Sequence, residues 1–555
     1  MAHTDPAPHT RPTTSERPTP SERPTPSERP TPTHPPAIPT VPVTDGAGPF
    51  SAVQRITLAV VCVATAMLML DIAVVNTALP SMAREFGASM SSLKWVIDGY
   101  TLALATVVLS AGAWADRIGR RRVFVVGALG FTAASVLCTV APDIATLNAA
   151  RVVQGLGAAL LFASSLALLA HAFPGRDHRT RALAAYGATI GASFALGPLL
   201  GGVLTDQISW RAIFVINIPL GVAMLYATRW IEESASSSPR RGDIWGQFSA
   251  VVALGALTYG FFEANASGWS DPATLTAFGV AVVAFGVFIA VESVVAQPML
   301  PLQMFANPAF AGAQVATFAI SASMFAVFVY VTIYLQGVLG MSPIAAGLVY
   351  LPGTMIMLVV AGLTDKVVGR VPAWVLLSAA LVAVAAGLAW MTIAGEHSSG
   401  WVMVPGFLVS CIGAGVFNPV MSGVVLAEAE YDDAGLAAGV NDVFRQSGIA
   451  LGVAALGAVF PAASVLHGGD AGPYVDSLHR ALWISVAIAL AGAVVVVIAM
   501  RRARASADPT STATVFGCEG GPQIVSDHAV QTQRGVPVPV VDSGSSDFRH
   551  TGPHQ

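Results

Sequence analysis

The chain alternates long apolar runs with short polar breaks. Ile56 to Leu79 carries one charge, Asp71, in 24 residues, and a bilayer-spanning helix needs roughly 20 apolar residues. Similar runs recur as far as residue 500. The pattern predicts fourteen helices, near 56–79, 93–113, 123–141, 145–170, 182–205, 212–231, 245–263, 272–294, 310–336, 343–362, 372–394, 401–428, 434–463 and 480–500. The expected class is an all-α integral membrane protein with one polytopic domain over 51–504, flanked by a tail over 1–50 and another over 505–555. The first tail is rich in Pro, Thr and Ser and repeats Ser-Glu-Arg-Pro-Thr-Pro three times from Ser15 to Pro32. Proline at that density blocks helix and nothing apolar is there to bury, so disorder is expected.

Composition agrees: 54% of the 555 residues are hydrophobic and 11% charged, against roughly 25% charged in a soluble domain. The net charge of −4 matters less than where the cations sit, because cytoplasmic loops retain Lys and Arg. With the N-terminus inside, sixteen cations fall on the inner face (Arg55, Arg117, Arg120 and Arg501 among them). Four fall outside: Arg84, Lys94, Arg211 and Arg480. That imbalance predicts both termini in the cytoplasm and an even number of spans. Cys62, Cys138 and Cys411 lie in apolar runs and Cys518 in the second tail, with no CxxC or Cys/His spacing to suggest a metal or a disulfide framework. No GxxxxGK[ST], serine elbow, zinc or haem motif occurs, so neither ATP hydrolysis, another enzyme activity nor a cofactor is expected. No nucleic-acid partner is expected either.

A weak internal repeat points to two halves. The second helix closes in Gly112-Ala-Trp-Ala-Asp116-Arg117-Ile-Gly119-Arg120, and the tenth in Gly362-Leu-Thr-Asp365-Lys366-Val-Val-Gly369-Arg370. Each is the second helix of a six-helix half, which makes helices seven and eight an insertion.

Five motifs carry the candidate chemistry. Leu70-Asp71-Ile-Ala-Val-Val-Asn76-Thr-Ala-Leu79-Pro80 ends the first helix. A carboxyl group in hydrocarbon costs at least a few kcal/mol and marks a functional site by default. Shielded from water, such a group holds its proton more tightly, as proton coupling requires. In the loop from Gly112 to Arg122, the glycines permit close packing and a tight turn, and Asp116 can pair with an arginine or cap the next helix. The fourth helix holds Arg151-Val-Val-Gln154-Gly155. At 1.5 Å per residue, Arg151 lies roughly 9 Å and Asp71 roughly 12 Å inside the outer face, near enough in depth to communicate. The fifth helix reads Gly187-Ala-Thr-Ile-Gly191-Ala-Ser-Phe-Ala-Leu-Gly197-Pro198-Leu-Leu-Gly201-Gly202. Small-xxx-small pairs let helices touch, and Pro198 should kink the helix. The thirteenth carries Asn441-Asp442-Val-Phe444-Arg445-Gln446, polar groups that must face a cavity or another helix. Asp98, near Trp95 and Tyr100, is a candidate cation contact, and Phe325, Phe328, Tyr330 and Tyr334 either line a cavity or face lipid.

These motifs, in this order, resemble the major facilitator superfamily, specifically its fourteen-helix drug:proton antiporter branch; Trp210-Arg211-Ala-Ile-Phe-Val-Ile-Asn217-Ile-Pro219 is similar to another segment of that family. The resemblance implies two six-helix halves plus two inserted helices. It implies roles in proton coupling or substrate binding for Asp71 and in proton transfer for Arg151. It also implies a conformational latch at Gly112, Asp116, Arg117, Gly119 and Arg120, and an exporter-specific motif at Gly191, Gly197, Pro198, Gly201 and Gly202. Asp98, Asn441, Arg445 and Gln446 join the proton-coupling or substrate set, although Asn441, Arg445 and Gln446 suit a purely interhelical role as well. The expected function is proton-coupled export of drug-like or antibiotic-like molecules, amphipathic or cationic, across the plasma membrane. The partners are then substrate, protons and the bilayer. Dedicated export of one endogenous metabolite is the nearest alternative, and a non-transporting membrane sensor the remote one.

Overall fold

The computed structural model describes residues 49–235, 243–295, 298, 300, 302–364, 366–368, 370–427, 434–461, 465–467 and 469–507. Both tails beyond those bounds lie outside it, as do Asp365 and Gly369 of the second repeat. The described residues form helices α1 (Ala52–Phe86), α2 (Met90–Ile118), α3 (Arg120–Val140), α4 (Ile144–Ala172), α5 (Arg176–Gln207), α6 (Ala212–Val215), α7 (Asn217–Ala227), α8 (Ile244–Ala266) and α9 (Pro272–Val294). They continue with α10 (Pro308–Ile320), α11 (Ala326–Ile333), α12 (Pro343–Thr364), α13 (Ala373–Met391), α14 (Met403–Ala427), α15 (Ala434–Gly457) and α16 (Ala471–Ala507). Two five-residue π-helical segments, Ser321–Phe325 and Tyr334–Val338, extend α10 and α11 into one 31-residue rod.

Each of the fourteen predicted segments falls on helix, α6 with α7 and α10 with α11 serving as one segment apiece. By length and apolarity alone the count of spans is lower: twelve helices qualify, and thirteen once the two parts of α5, bent by 44°, are taken together. The helix left out is α15, whose block from Asn441 to Gln446 dilutes its apolar content. The bend in α5 falls just before Pro198, where a ring in place of an N–H breaks the ladder. Helix α16 begins nine residues before the expected 480 and passes the expected 504 boundary to Ala507. Its first turns are tied to the bundle by Tyr474, which donates to the Tyr330 carbonyl at 2.8 Å.

Helix starts follow local capping chemistry. Ser51 and Gln54 form a reciprocal capping box at α1. Asp143 opens α4 by accepting from the Thr146 amide at 2.8 Å, and that hydrogen bond holds its carboxyl below the usual carboxylate range. Asp271 and Asn307 do the same ahead of Pro272 and Pro308, each at a first helical turn.

The bundle repeats itself. The first half comprises α1–α7 and the second α10–α16. Helix α5 packs along α12 of the other half, and α15 packs along α2, so equivalent helices make the two crossings. The inserted hairpin α8–α9 rests on α2 and α15 through α8. Only 28% of its apolar windows are buried, against 83% for α2, so it lies at the rim and leaves the interface between halves to the twelve others.

Candidate functional site

A sealed charged node lies in the first half. Asp71 of α1 and Arg151 of α4, each 1% exposed, form an ion pair between Oδ2 and Nη1. The other carboxylate oxygen accepts from Gln154 Nε2 at 3.0 Å and Asn217 Nδ2 at 3.1 Å. Arg151 also donates to Gln154 Oε1 at 2.9 Å and to the Val96 carbonyl at 2.8 Å, and its guanidinium lies 4.4 Å from the Tyr100 ring centroid. Gln154 reaches Ser135 Oγ on α3 at 3.0 Å. Three helices, α1, α4 and α7, thus meet on one carboxylate, and α2 and α3 join through Arg151 and Gln154. A buried pair offsets its desolvation only when the remaining hydrogen-bonding capacity is met, and here both oxygens are met.

The remaining polar residues are dispersed. Asp98 and Lys94, four apart on α2, are both buried, and neither Asp98 oxygen has a hydrogen-bond partner among the described residues. Lys94 lies 5.6 Å from the Phe262 ring of α8. It is therefore buried in the bundle at the start of α2 rather than exposed. Asn441 turns toward its own half and donates to Gln314 Oε1 at 3.0 Å and Thr317 Oγ1 at 2.8 Å on α10. Arg445 pairs with Asp442 at 3.4 Å, and Gln446 is buried. None of these touches the Asp71 node through a hydrogen bond in the structure.

At the α2–α3 junction Asp116 pairs with Arg120 at 2.9 Å, and Arg120 reaches the Ala167 carbonyl of α4 at 3.4 Å. Capping of α3 by Asp116 does not occur: Gly119 holds that position with no side-chain bond, at φ +121°, which L side chains rarely adopt. Arg117 is exposed. The close packing expected at Gly112 is absent, with nothing within 4 Å of where a Cβ would stand. A residue the sequence reading did not single out completes the junction: Glu233 accepts from the Arg121 amide at 3.0 Å and lies 3.7 Å from Arg122.

The glycines of α5 divide. A Cβ on Gly201 would stand 2.8 Å from the Val74 carbonyl of α1, one on Gly202 2.5 Å from that of Pro343, and Gly197 abuts Ala73. Gly347 of α12 in turn abuts the Pro198 carbonyl at 2.7 Å. Gly191 meets only the Leu358 side chain, at 3.2 Å, and Gly187 meets nothing, so the expected Gly187/Gly191 contact pair is not one. The α5–α12 crossing is accordingly tight toward the α1–α2 loop and loose toward the α2–α3 loop. Gln336 of the π segment Tyr334–Val338 ties α1 to the second half by donating to the Thr77 carbonyl at 2.9 Å.

Between the halves lies a cavity with about 720 Å³ of empty space, its mouth included. Helix α1 lines it with Ile72, Asn76 and Thr77, and the α10–α11 rod lines it with Met324, Phe325 and Phe328. The π turn at Ser321–Phe325 presents that last group. Its wide backbone fits against α15 because Gly448 and Gly452 would place a Cβ only 2.8 and 2.7 Å from Phe318 and Ala322. Of the four aromatics considered, Phe325 and Phe328 reach the cavity. Tyr330 and Tyr334 instead bond the carbonyls of Val453 and Gly395.

The sequence profile of the Major Facilitator Superfamily matches residues 61–453. The chain belongs to the major facilitator superfamily. Its relatives include the multidrug resistance protein Stp of Mycobacterium tuberculosis, 34% identical over 74% of this chain and 76% of that one. The methylenomycin A resistance protein of Streptomyces coelicolor is 35% identical over 72% and 84%. A crystal structure of the peptide transporter POT in complex with sulfate shares the fold at TM-score 0.58 and 15% identity, covering 80% of this chain and 94% of that one. As a superfamily member the chain is a multi-pass membrane transporter that handles small molecules.

Within this superfamily member, Gln154, Asn217 and Asn76 are polar contributors that the motifs held without roles, and Ser135 and Lys94 lie outside those motifs. Gln154 had a local signal: three residues after Arg151, it shares that residue's helix face. Lys94 had one too, four residues before Asp98. Asn217, 146 positions from Asp71, had none.

Proposed function

We propose that this transporter exports drug-like or antibiotic-like molecules in exchange for protons, in the plasma membrane, with both termini cytoplasmic. The observation that carries the reading is the buried Asp71–Arg151 node lying directly behind the cavity wall, since Asp71 adjoins Ile72 in sequence and Ile72 lines the cavity. The names of the relatives, for multidrug and methylenomycin A resistance, support the cargo class. Protonating Asp71 neutralises its attraction for Arg151 and frees α1 to shift against α4, which changes the wall the substrate touches. Losing the proton restores the pair. The charge and the cavity thus share one helix, and coupling needs no longer route. With the N-terminus inside, the tight end of the α5–α12 crossing faces outward and the loose end faces the cytoplasm, the state that loads substrate for export.

The apolar lining with a few hydroxyl and amide groups suits amphipathic substrates. A cationic preference lacks a carboxylate in the wall. Dedicated export of one self-made antibiotic is the second reading, favoured by the methylenomycin A relative. Growth of a pump-deficient host on a panel of unrelated drugs separates the two: broad resistance that Asp71→Asn abolishes supports the first, and resistance to a single compound supports the second. No resistance at normal membrane expression refutes both.

A further inference from the structure

We infer that the cavity between the halves selects an uncharged aromatic molecule that carries a hydrogen-bond donor, with Asn76 as the acceptor that reads it. The inference rests on the export reading above and names the substrate class of the same site. None of the sixteen residues lining the cavity among those described bears a charge. The nearest carboxylates are not available to a ligand. Both oxygens of Asp71 are occupied by Arg151, Gln154 and Asn217, while Asp98 and Asp442 are 0% and 1% exposed and stand outside the lining.

Burying an unpaired cation here costs several kcal/mol. A cation–π contact returns only about 0.5–2 kcal/mol. The rings are also engaged with one another: Phe328 stands edge-on to Phe407 at 4.9 Å and 5.1 Å from Tyr350. The aromatic faces therefore do not make up for a missing counter-ion. Desolvation favours neutral cargo.

Asn76 supplies the polar discrimination. Its Oδ1 is enclosed with no hydrogen-bond partner among the described residues, and the side chain lines the cavity. Thr77, its neighbour, spends its hydroxyl on the Val74 carbonyl at 2.8 Å, and Thr332 and Tyr350 share theirs at 2.9 Å. The amide oxygen of Asn76 is thus an unpaired acceptor enclosed in an apolar wall, and leaving a buried acceptor unmade costs more than a made bond returns.

The test uses the purified full chain in lipid nanodiscs, without a proton gradient. The probes are N-phenyl-1-naphthylamine, which is neutral, aromatic and carries one N–H; its N-methyl derivative, which lacks the donor; and tetraphenylphosphonium, a permanent cation. The expected result is that the amine binds wild type at least about tenfold more tightly than the phosphonium. Asn76→Leu should weaken the amine about three- to tenfold, the factor for one hydrogen bond, and leave the N-methyl probe unchanged. Asn76→Asp should raise phosphonium affinity. Equal or tighter phosphonium binding by wild type overturns the inference, as does the absence of binding by either neutral probe. An equal effect of Asn76→Leu on both neutral probes removes Asn76 as the acceptor. The wild-type probe ranking decides the charge preference even if a variant fails to fold. The export reading stands or falls separately, on drug-driven proton movement in vesicles.

Discussion

Replacing Arg151 by Met keeps an unbranched side chain in α4 and removes the guanidinium from Asp71. Asp71 then retains Gln154 and Asn217 as neutral donors but has no countercharge, at 1% exposure. Breaking a buried pair from one side costs about 3–5 kcal/mol, because the surviving charge stays desolvated. Asp71→Asn should cost less, since Arg151 keeps the Val96 carbonyl, Gln154 Oε1 and the Tyr100 ring. The double variant leaves no charge behind and should recover much of the loss, giving a coupling energy on the order of 2–3 kcal/mol. Equilibrium unfolding in mixed micelles of the wild type, both single variants and the double variant measures this directly. Additivity within about 0.5 kcal/mol would show that the two residues are energetically independent, and the node would then not be the unit described.

Three further outcomes are expected. Gly119→Ala should slow transport with little change in membrane expression, because φ +121° at that turn strains any L residue by about 1–3 kcal/mol; an unchanged efflux rate in vesicles would remove the turn from the transport cycle. Gly201→Leu should unfold readily in the same micelles, since even its Cβ meets the Val74 carbonyl at 2.8 Å, whereas Gly187→Leu, with nothing within 4 Å, should stay within about 0.5 kcal/mol of wild type; equal effects would refute the asymmetry of α5. Lys94→Met should destabilise the protein by stranding the buried Asp98, and adding Asp98→Asn should reverse the loss; no reversal would mean that Lys94 acts through packing alone.

Much of the architecture was legible because the bilayer imposes one length on every helix, so apolar runs alone place all fourteen segments. Misreadings arose where tertiary contacts overrode local chemistry. Lys94 counts among the outer-face cations, where exposure is the rule, yet it is buried next to Phe262. The α15 block reads as facing either a cavity or another helix, and Asn441 takes the second course on Gln314 and Thr317 of its own half. Depth along each helix brought Asp71 and Arg151 to one level, but depth says nothing of rotation about the axis. Recruitment of Asn217 from α7 therefore had no sequence signature. Gly112 and Gly187 look the same as Gly197 and Gly201 in a motif, and only the position of α1 separates the glycines that touch from those that do not.

On the proposed mechanism, proton movement and cargo movement meet at Asp71. Everted membrane vesicles energised to an acidic interior and loaded with a pH-sensitive dye test it most directly, with candidate drugs added to wild type and to Asp71→Asn at matched expression. Drugs should release protons from wild-type vesicles and not from the variant. Equal release from both would contradict Asp71 as the coupling group, and a wild type in which no compound moves protons would contradict antiport itself.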